Sequence, residues 1–174
     1  MEAKRIVVVF IMMFVLSVGF SQESPKKAKR EKNKIEKQHQ IEALINSREF
    51  VFEASQAMPK SGTTVNLTGN TYTVTFHPEE IESYMPFFGR AYSADYGGSG
   101  GIKFKEKPDE FSVSSRKGGK GFEVNAAVSV RQDNYKLILS VSPGGSATLS
   151  INSNQLSSIS YYGDIVKYEK SKEK

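Results

Sequence analysis

The sequence contains no cysteine and no tryptophan, and it has only two histidines, His39 and His77. Without cysteine the chain can form no disulfide bond, no thiol nucleophile and no lipid attachment through sulfur. A structural zinc site is also disfavoured, because such sites need several cysteine or histidine ligands. The sequence therefore predicts a domain that is held together by burial of a hydrophobic core alone.

Signals for catalysis are equally scarce. His39 lies in a charged segment, so a serine hydrolase would have to use His77 as its base. No serine lies in a Gly-x-Ser-x-Gly turn, and the nearest approach is Gly98-Ser99-Gly100. The carboxylates between Glu79 and Glu82 are close to His77 in sequence but lack a second histidine. We predict no catalytic residue, no metal and no cofactor, with a hydrolase as the less favoured alternative.

The first residues resemble a secretory signal peptide. Lys4 and Arg5 precede the uninterrupted apolar run Ile6–Leu16, and the small residues Gly19 and Ser21 follow it. The run is shorter than the roughly 20 apolar residues that a membrane-spanning helix needs, so an uncleaved anchor is the less favoured alternative. We predict cleavage after Ser21, no transmembrane domain after signal removal, and export to the periplasm, with the extracellular space as the alternative.

Charge is distributed unevenly along the chain. Between Glu23 and Arg48 there are eight Lys or Arg residues against four Glu, whereas Glu49 to Tyr168 has 11 basic and 12 acidic residues. A nucleic-acid-binding domain carries its basic charge on the folded unit, so we expect no nucleic-acid partner. The Lys-rich run is typical of a solvated spacer or helix, with contact to an anionic surface as the alternative.

These boundaries predict four segments: a signal peptide (1–21), a charged Lys-rich helical or linker segment (22–48), a single β-rich domain (49–168) and a charged tail (169–174). Ile41, Leu44 and Ile45 lie at helical spacing, so we expect the second half of the charged segment to pack against the domain. Ile35 is a candidate extension of that stripe.

Apolar residues alternate with polar ones in much of the domain. The alternation is clearest in the sets around Phe50–Ala54, Tyr72–Phe76, Phe122–Val130, Tyr135–Val141 and Ala147–Ile151. Successive side chains of a strand point to opposite faces, so each stretch has one apolar face. The pattern predicts a mainly β fold: an antiparallel meander of roughly seven to nine strands, closed into a barrel or a sandwich, with an N-terminal helix.

One stretch, His77–Met85, predicts a short helix after the third strand. Pro78 suits the first helical position, and Glu79 and Glu80 complement the positive end of a helix dipole. Pro86 would end this helix.

Three strings of sequence resemble one protein family: Met85-Pro86-Phe87-Phe88-Gly89-Arg90-Ala91-Tyr92, then Gly100-Gly101-Ile102, and Ile159-Ser160-Tyr161-Tyr162-Gly163. They are similar to the domain of unknown function 4251, which is found in secreted proteins of Bacteroidetes. The resemblance covers Phe50 to Ile165 and leaves the Lys-rich segment outside. It implies an exported single domain, and it implies no activity, cofactor or catalytic residue.

The residues Arg90, Tyr92, Asp95 and Tyr96, together with Tyr84, form the candidate ligand-binding set. The guanidinium group suits carboxylates and phosphates, and tyrosine combines an apolar ring with a hydroxyl group. We predict that they line a ligand mouth on a curved sheet. In the alternative, Arg90 pairs with Asp95 and the aromatic residues plug the end of the barrel.

Together, export, a one-sided β-sheet and the lack of a catalytic constellation predict a non-catalytic module. We expect it to bind a small amphipathic ligand or an envelope protein partner. The alternative is a structural or assembly component of the cell envelope, in which an exposed edge strand pairs with a partner.

Overall fold

The computed structural model describes residues 25–60, 62–92, 101–131 and 133–168. The predicted signal peptide and charged tail lie outside these residues. The chain divides into two compact units, 1–33 and 34–174. Helix α1 (Pro25–Ser47) begins in the first unit and ends in the second, which contains all strands of the described residues. Within the described part of the chain, no helix is long and apolar enough to cross a membrane.

All strand pairings in the described chain are antiparallel, as the alternation predicts. The strands are β1 (Phe50–Pro59), β2 (Val65–Asn66), β3 (Thr73–His77), β4 (Glu80–Pro86), β5 (Gly101–Glu106), β6 (Glu110–Ser115), β7 (Phe122–Val130), β8 (Asp133–Val141), β9 (Ser146–Asn152) and β10 (Ile159–Lys167). Nine strands follow one another in the order β5-β4-β3-β1-β10-β9-β8-β7-β6, and the short β2 pairs with β1. The predicted mainly β fold with an N-terminal helix is confirmed.

The prediction of a closed barrel or sandwich is wrong, because the sheet is open and curls into a half-barrel. β5 and β6 are its two end strands, although only residues 107–109 separate them along the chain. Aromatic rings on the inner faces of the two halves contact each other instead. The ring centroids of Phe76 and Phe111 lie 6.3 Å apart, and the Phe104 ring stacks on that of Tyr135 at 5.1 Å. The alternation of apolar and polar residues gives the sheet one apolar face, which must be covered. Curling of the sheet covers this face without closing the sheet into a barrel.

The predicted short helix at His77–Met85 is also wrong. His77 pairs with Glu80 in a β3–β4 hairpin, so Pro78 and Glu79 form its turn. Proline fixes a φ angle that suits the first central position of a turn as well as the first position of a helix. Two of the apolar residues, Ile81 and Met85, are four apart, a spacing that fits a helix and a strand alike. Ser83 between them is buried on the same face of the strand and donates to the carbonyl of Ile102 at 2.9 Å.

The second half of α1 packs on the sheet as predicted. Ile41 and Ile45 are buried, and Leu44 packs beside them. A Cβ on Gly145, in the β8–β9 turn, would lie only 2.8 Å from the Cδ1 atom of Ile41, so this glycine lets the helix approach. Ile35 is exposed, and the stripe therefore does not extend to it.

Close approach of β1 and β10 explains the glycine of the Tyr-Tyr-Gly string. The register of β1 shifts between Ala54 and Gln56, opposite Gly163 and Tyr162. A Cβ on Gly163 would overlap the carbonyl oxygen of Glu53. Any other residue would push the two central strands of the sheet apart, so this position requires glycine for packing.

Candidate functional site

Arg90 and Tyr92 lie in the connection that follows β4, and hydrogen bonds fix the backbone of both. The Arg90 amide donates to Ser157 Oγ at 3.0 Å, and its carbonyl accepts from the Ser157 amide at 2.9 Å. The Tyr92 amide donates to the carbonyl of Gln155 at 2.8 Å. A short antiparallel contact thus holds residues 90–92 against the β9–β10 loop.

The β9–β10 loop is itself held by a buried carboxylate, Asp133, at the start of β8. Asp133 accepts hydrogen bonds from the Ser153 hydroxyl at 2.5 Å, the Asn154 amide at 3.0 Å and the Asn134 amide at 2.9 Å. Ser153 Oγ in turn accepts from the Gln155 amide at 3.0 Å. Asp133 therefore orders the loop on which Arg90 and Tyr92 depend, a structural role for which the sequence pattern gives no signal.

The side chains of Arg90 and Tyr92 are on the surface. Tyr92 is 70% exposed, the highest value among the large hydrophobic residues of the described chain, and Phe88 is 38% exposed. Asp95 and Tyr96 lie outside the described residues. The alternative in which Arg90 pairs with Asp95 therefore stays a prediction. Arg90 and Tyr92 therefore form an exposed surface on a backbone that is held by hydrogen bonds.

Tyr84 belongs to a different surface, the outer face of β3, β4 and β5. Its ring stacks on Tyr72 at 5.9 Å, and the Lys103 ammonium lies 4.7 Å from its centre. Lys103 is its direct neighbour across the β4–β5 pairing. Sequence reasoning missed Tyr72 and Lys103, because their contact with Tyr84 follows from strand register rather than from spacing along the chain.

The rest of this outer face carries paired charges. Lys105 Nζ lies 3.1 Å from Glu80 and 3.6 Å from Glu82. The hydrogen bond and charge of Glu80, with a further contribution from Glu82, raise the pKa of Lys105. The opposite charges largely neutralise one another, so the face offers no excess of either sign around the tyrosine pair.

His77 lies at the exposed β3–β4 hairpin. Its Nδ1 atom accepts a hydrogen bond from the Glu79 amide at 3.2 Å, and its Nε2 atom lies 3.3 Å from Glu49. Among the described residues, no three His, Asp or Glu side chains are close enough together to hold a metal ion. Through these contacts His77 helps to hold the hairpin turn in place.

The family model for the domain of unknown function DUF4251 matches residues 32–165. The chain belongs to this family. The match begins within α1, so it includes part of the Lys-rich segment that the resemblance had left outside. No curated protein matches the chain.

A crystal structure of a DUF4251 family protein from Bacteroides eggerthii is similar to this chain. The two have a TM-score of 0.57 and 21% sequence identity, and the similarity covers 75% of this chain and 87% of that one. At this identity the comparison supports the fold and carries no information about a ligand or a reaction.

In this DUF4251 chain, the family strings meet in space. The buried hydroxyl of Tyr161 in β10 donates to the carbonyl of Pro86, at the end of β4, at 2.6 Å. The next residue, Tyr162, is 42% exposed, so one tyrosine of the pair faces the core and the other faces outward. A Cβ on Gly89 would overlap the ring of Phe87 and the hydroxyl of Ser157. These contacts hold the connection after β4 in place and so project Arg90 and Tyr92.

Proposed function

We propose that this DUF4251 protein is a non-catalytic, exported module that binds an envelope protein partner through the surface around Arg90 and Tyr92. The single observation that supports it is the exposure of Tyr92 on a backbone fixed by hydrogen bonds. Asp95 and Tyr96, which follow along the chain, remain candidate binding residues. Export is supported by the pattern of the first 21 residues.

Tyrosine and arginine are enriched among the residues that contribute most to protein–protein binding. Tyrosine supplies a large contact area with few rotatable bonds, so little side-chain entropy is lost on binding. A backbone that is already ordered further lowers the cost of association. Arg90 and Tyr92, held by Ser157 and Gln155, meet these conditions.

The geometry favours a protein partner over the small amphipathic ligand. Small ligands are generally enclosed in concave sites that bury about 70–90% of their surface. Tyr84 and Tyr92 are 49% and 70% exposed, and each points outward. The interior of the curled sheet contains the ring contacts of Phe76 with Phe111 and of Phe104 with Tyr135.

Site-specific photocrosslinking tests this proposal. A photoreactive phenylalanine analogue would replace Tyr92 in the full chain, expressed with its own N-terminal sequence in its native host. A matched variant would carry the analogue at Tyr162, another exposed tyrosine, which lies in β10. We expect a crosslinked protein adduct at position 92 that Arg90→Ala weakens and that is absent at position 162.

Two results would contradict the proposal: no adduct at position 92, or the same adducts at both positions. Native mass spectrometry of the purified protein provides an independent check. A retained small molecule that is lost on denaturation would favour the small-ligand form over the protein partner.

A structural or assembly role is the second candidate function. The observation that favours it is the open sheet, because an end strand can pair with a further strand.

A further inference from the structure

One side of β6 has no strand paired to it within the described chain. On its other side, β6 pairs with β7, and the Arg116 amide continues this register by donating to the Gly121 carbonyl at 2.8 Å. Alternate residues of an antiparallel strand bond to the same neighbour. Ser112 and Ser114 therefore bond toward β7, like Arg116, while the backbone groups of Phe111, Val113 and Ser115 point to the open side.

The middle of β6 lacks the lysine, proline and inward-pointing charge that keep many edge strands from pairing. Natural edge strands carry lysine, proline or inward-pointing charges. Between Phe111 and Ser115, β6 has only phenylalanine, valine and serines. Phe111 and Val113 are only partly buried against the core, so a further strand beside them would cover apolar surface.

The charges around β6 are placed so that two antiparallel copies of the strand would match opposite charges. Counting outward from Val113, the third residue on one side is Glu110 and the third on the other side is Arg116. Ser112 and Ser114 are the residues on either side of the centre, and both are small and exposed. An antiparallel partner with the same sequence, centred on Val113, would therefore place opposite charges across from each other at both ends.

We propose that two copies of this chain associate through β6, antiparallel and with a two-fold axis at Val113. Each Val113 exchanges backbone hydrogen bonds with Val113 of the second copy, and Phe111 does so with Ser115 of the second copy. Glu110 lies opposite Arg116 of the second copy, and symmetry repeats this pair. The two sheets then become continuous, with the half-buried side chains of both copies on one face.

The charges select this register and direction. A parallel pairing in register would place Glu110 beside Glu110 and Arg116 beside Arg116, and like charges directly opposite one another are unfavourable. An antiparallel pairing shifted to centre on Ser112 would place Arg116 opposite Pro108 of the second copy. The pairing centred on Val113 matches both charged residues at once.

This association uses a surface different from Arg90 and Tyr92, so it does not depend on the proposed function. Charge reversal tests it directly. Glu110→Arg places two arginines opposite each other at both ends of the pairing, and Arg116→Glu places two glutamates there. Both side chains are exposed, so each variant is expected to fold. By sedimentation velocity over a dilution series, we expect each variant to raise the dimer Kd by about tenfold or more.

An equimolar mixture of the two variants provides the decisive comparison. One copy then carries arginine at both positions and the other carries glutamate, so every cross-copy pair is again attractive. We expect the mixture to form a heterodimer about as tightly as the unmodified chain forms its dimer. Lys120→Glu makes the same charge change as Arg116→Glu in the neighbouring β6–β7 loop and should leave the Kd unchanged. An unmodified chain that stays monomeric, or a mixture no tighter than its components, would overturn the proposal.

Discussion

The two end strands of the sheet differ in sequence and in environment. β5 places Lys103 and Lys105 on its outer face and buries Ile102 and Phe104 on its inner face. On its outer face β6 carries Glu110 followed by two serines, and its inner residues, such as Phe111, are partly exposed. Lysines resist the addition of a further strand, whereas small uncharged side chains permit it. The β5 edge of the sheet therefore disfavours pairing with a further strand, whereas the β6 edge permits it.

The two strands are also attached to the core with different strength. The carbonyl of Ile102 in β5 accepts a hydrogen bond from buried Ser83, and the Phe104 ring stacks on Tyr135 at 5.1 Å. The main ring contact of β6 is Phe111 with Phe76 at 6.3 Å, in a tilted arrangement. We therefore expect β5 to contribute more to the stability of the monomer than β6 does.

Truncation of the inner aromatic residue of each strand should give the largest effect. We expect Phe104→Ala to lower the free energy of unfolding by about 3–4 kcal/mol, because it leaves a cavity in the core. Phe111→Ala should cost about 1–2 kcal/mol, because its ring is only partly buried. Urea unfolding at a dilution where the protein is monomeric measures both. Equal losses would show that the two edges are equally integrated into the core.

Proline scanning of β6 should give an intermediate effect that depends on the side to which each amide points. Ser112→Pro removes an amide that bonds to β7 and should lower the free energy of unfolding by about 2 kcal/mol. Val113→Pro removes an amide on the open side, so it should cost about 1 kcal/mol or less and abolish the dimer. Urea unfolding and sedimentation velocity separate these outcomes. If both prolines cost the same, the orientation assigned to the β6 backbone is incorrect.

Replacement of a β5 lysine should give the smallest change in stability. Glu80 raises the pKa of Lys105 in the folded state, so the lysine stabilises the fold at neutral pH. This stabilisation is lost as the pH rises through the folded-state pKa. We expect Lys105→Ser to be slightly less stable than the unmodified chain at neutral pH, with the difference disappearing at strongly alkaline pH. A difference that persists there would assign the effect to packing rather than to charge.

Local alternation predicted much of the sheet, but not how its edges end. Phe122–Val130 and Ala147–Ile151 lie in strands as predicted, and Tyr161 and Tyr162 face opposite sides. Closure of the sheet was predicted wrongly, because alternation determines which face is apolar and not how that face is covered. The spacing of Ile81 and Met85 is shared by helices and strands, so it could not exclude the short helix.

The surroundings of the candidate residues depend on contacts between distant parts of the chain. The Arg90 amide is held by Ser157, and the Tyr84 ring contacts Tyr72 and Lys103. The chain order of the strands does not give their order in the sheet, because β1 pairs with β10. Arg90, Tyr92 and Tyr84 could therefore be proposed from sequence as candidate binding residues, but their neighbours and their exposure could not.

Disulfide capture tests the β6 pairing most directly, because the chain has no cysteine of its own. In the proposed register, Ser112 lies opposite Ser114 of the second copy in a non-hydrogen-bonded pair, with Cα atoms about 4.5 Å apart. That spacing permits a disulfide, whereas two copies of Ser112 would be about 7–8 Å apart.

The measurement is oxidation of Ser112→Cys and Ser114→Cys copies, separately and as an equimolar mixture, followed by non-reducing electrophoresis. The account predicts a covalent dimer in the mixture and little or none in either variant alone. Crosslinking that is absent from the mixture, or equally strong in the separate samples, would contradict the proposed pairing of β6.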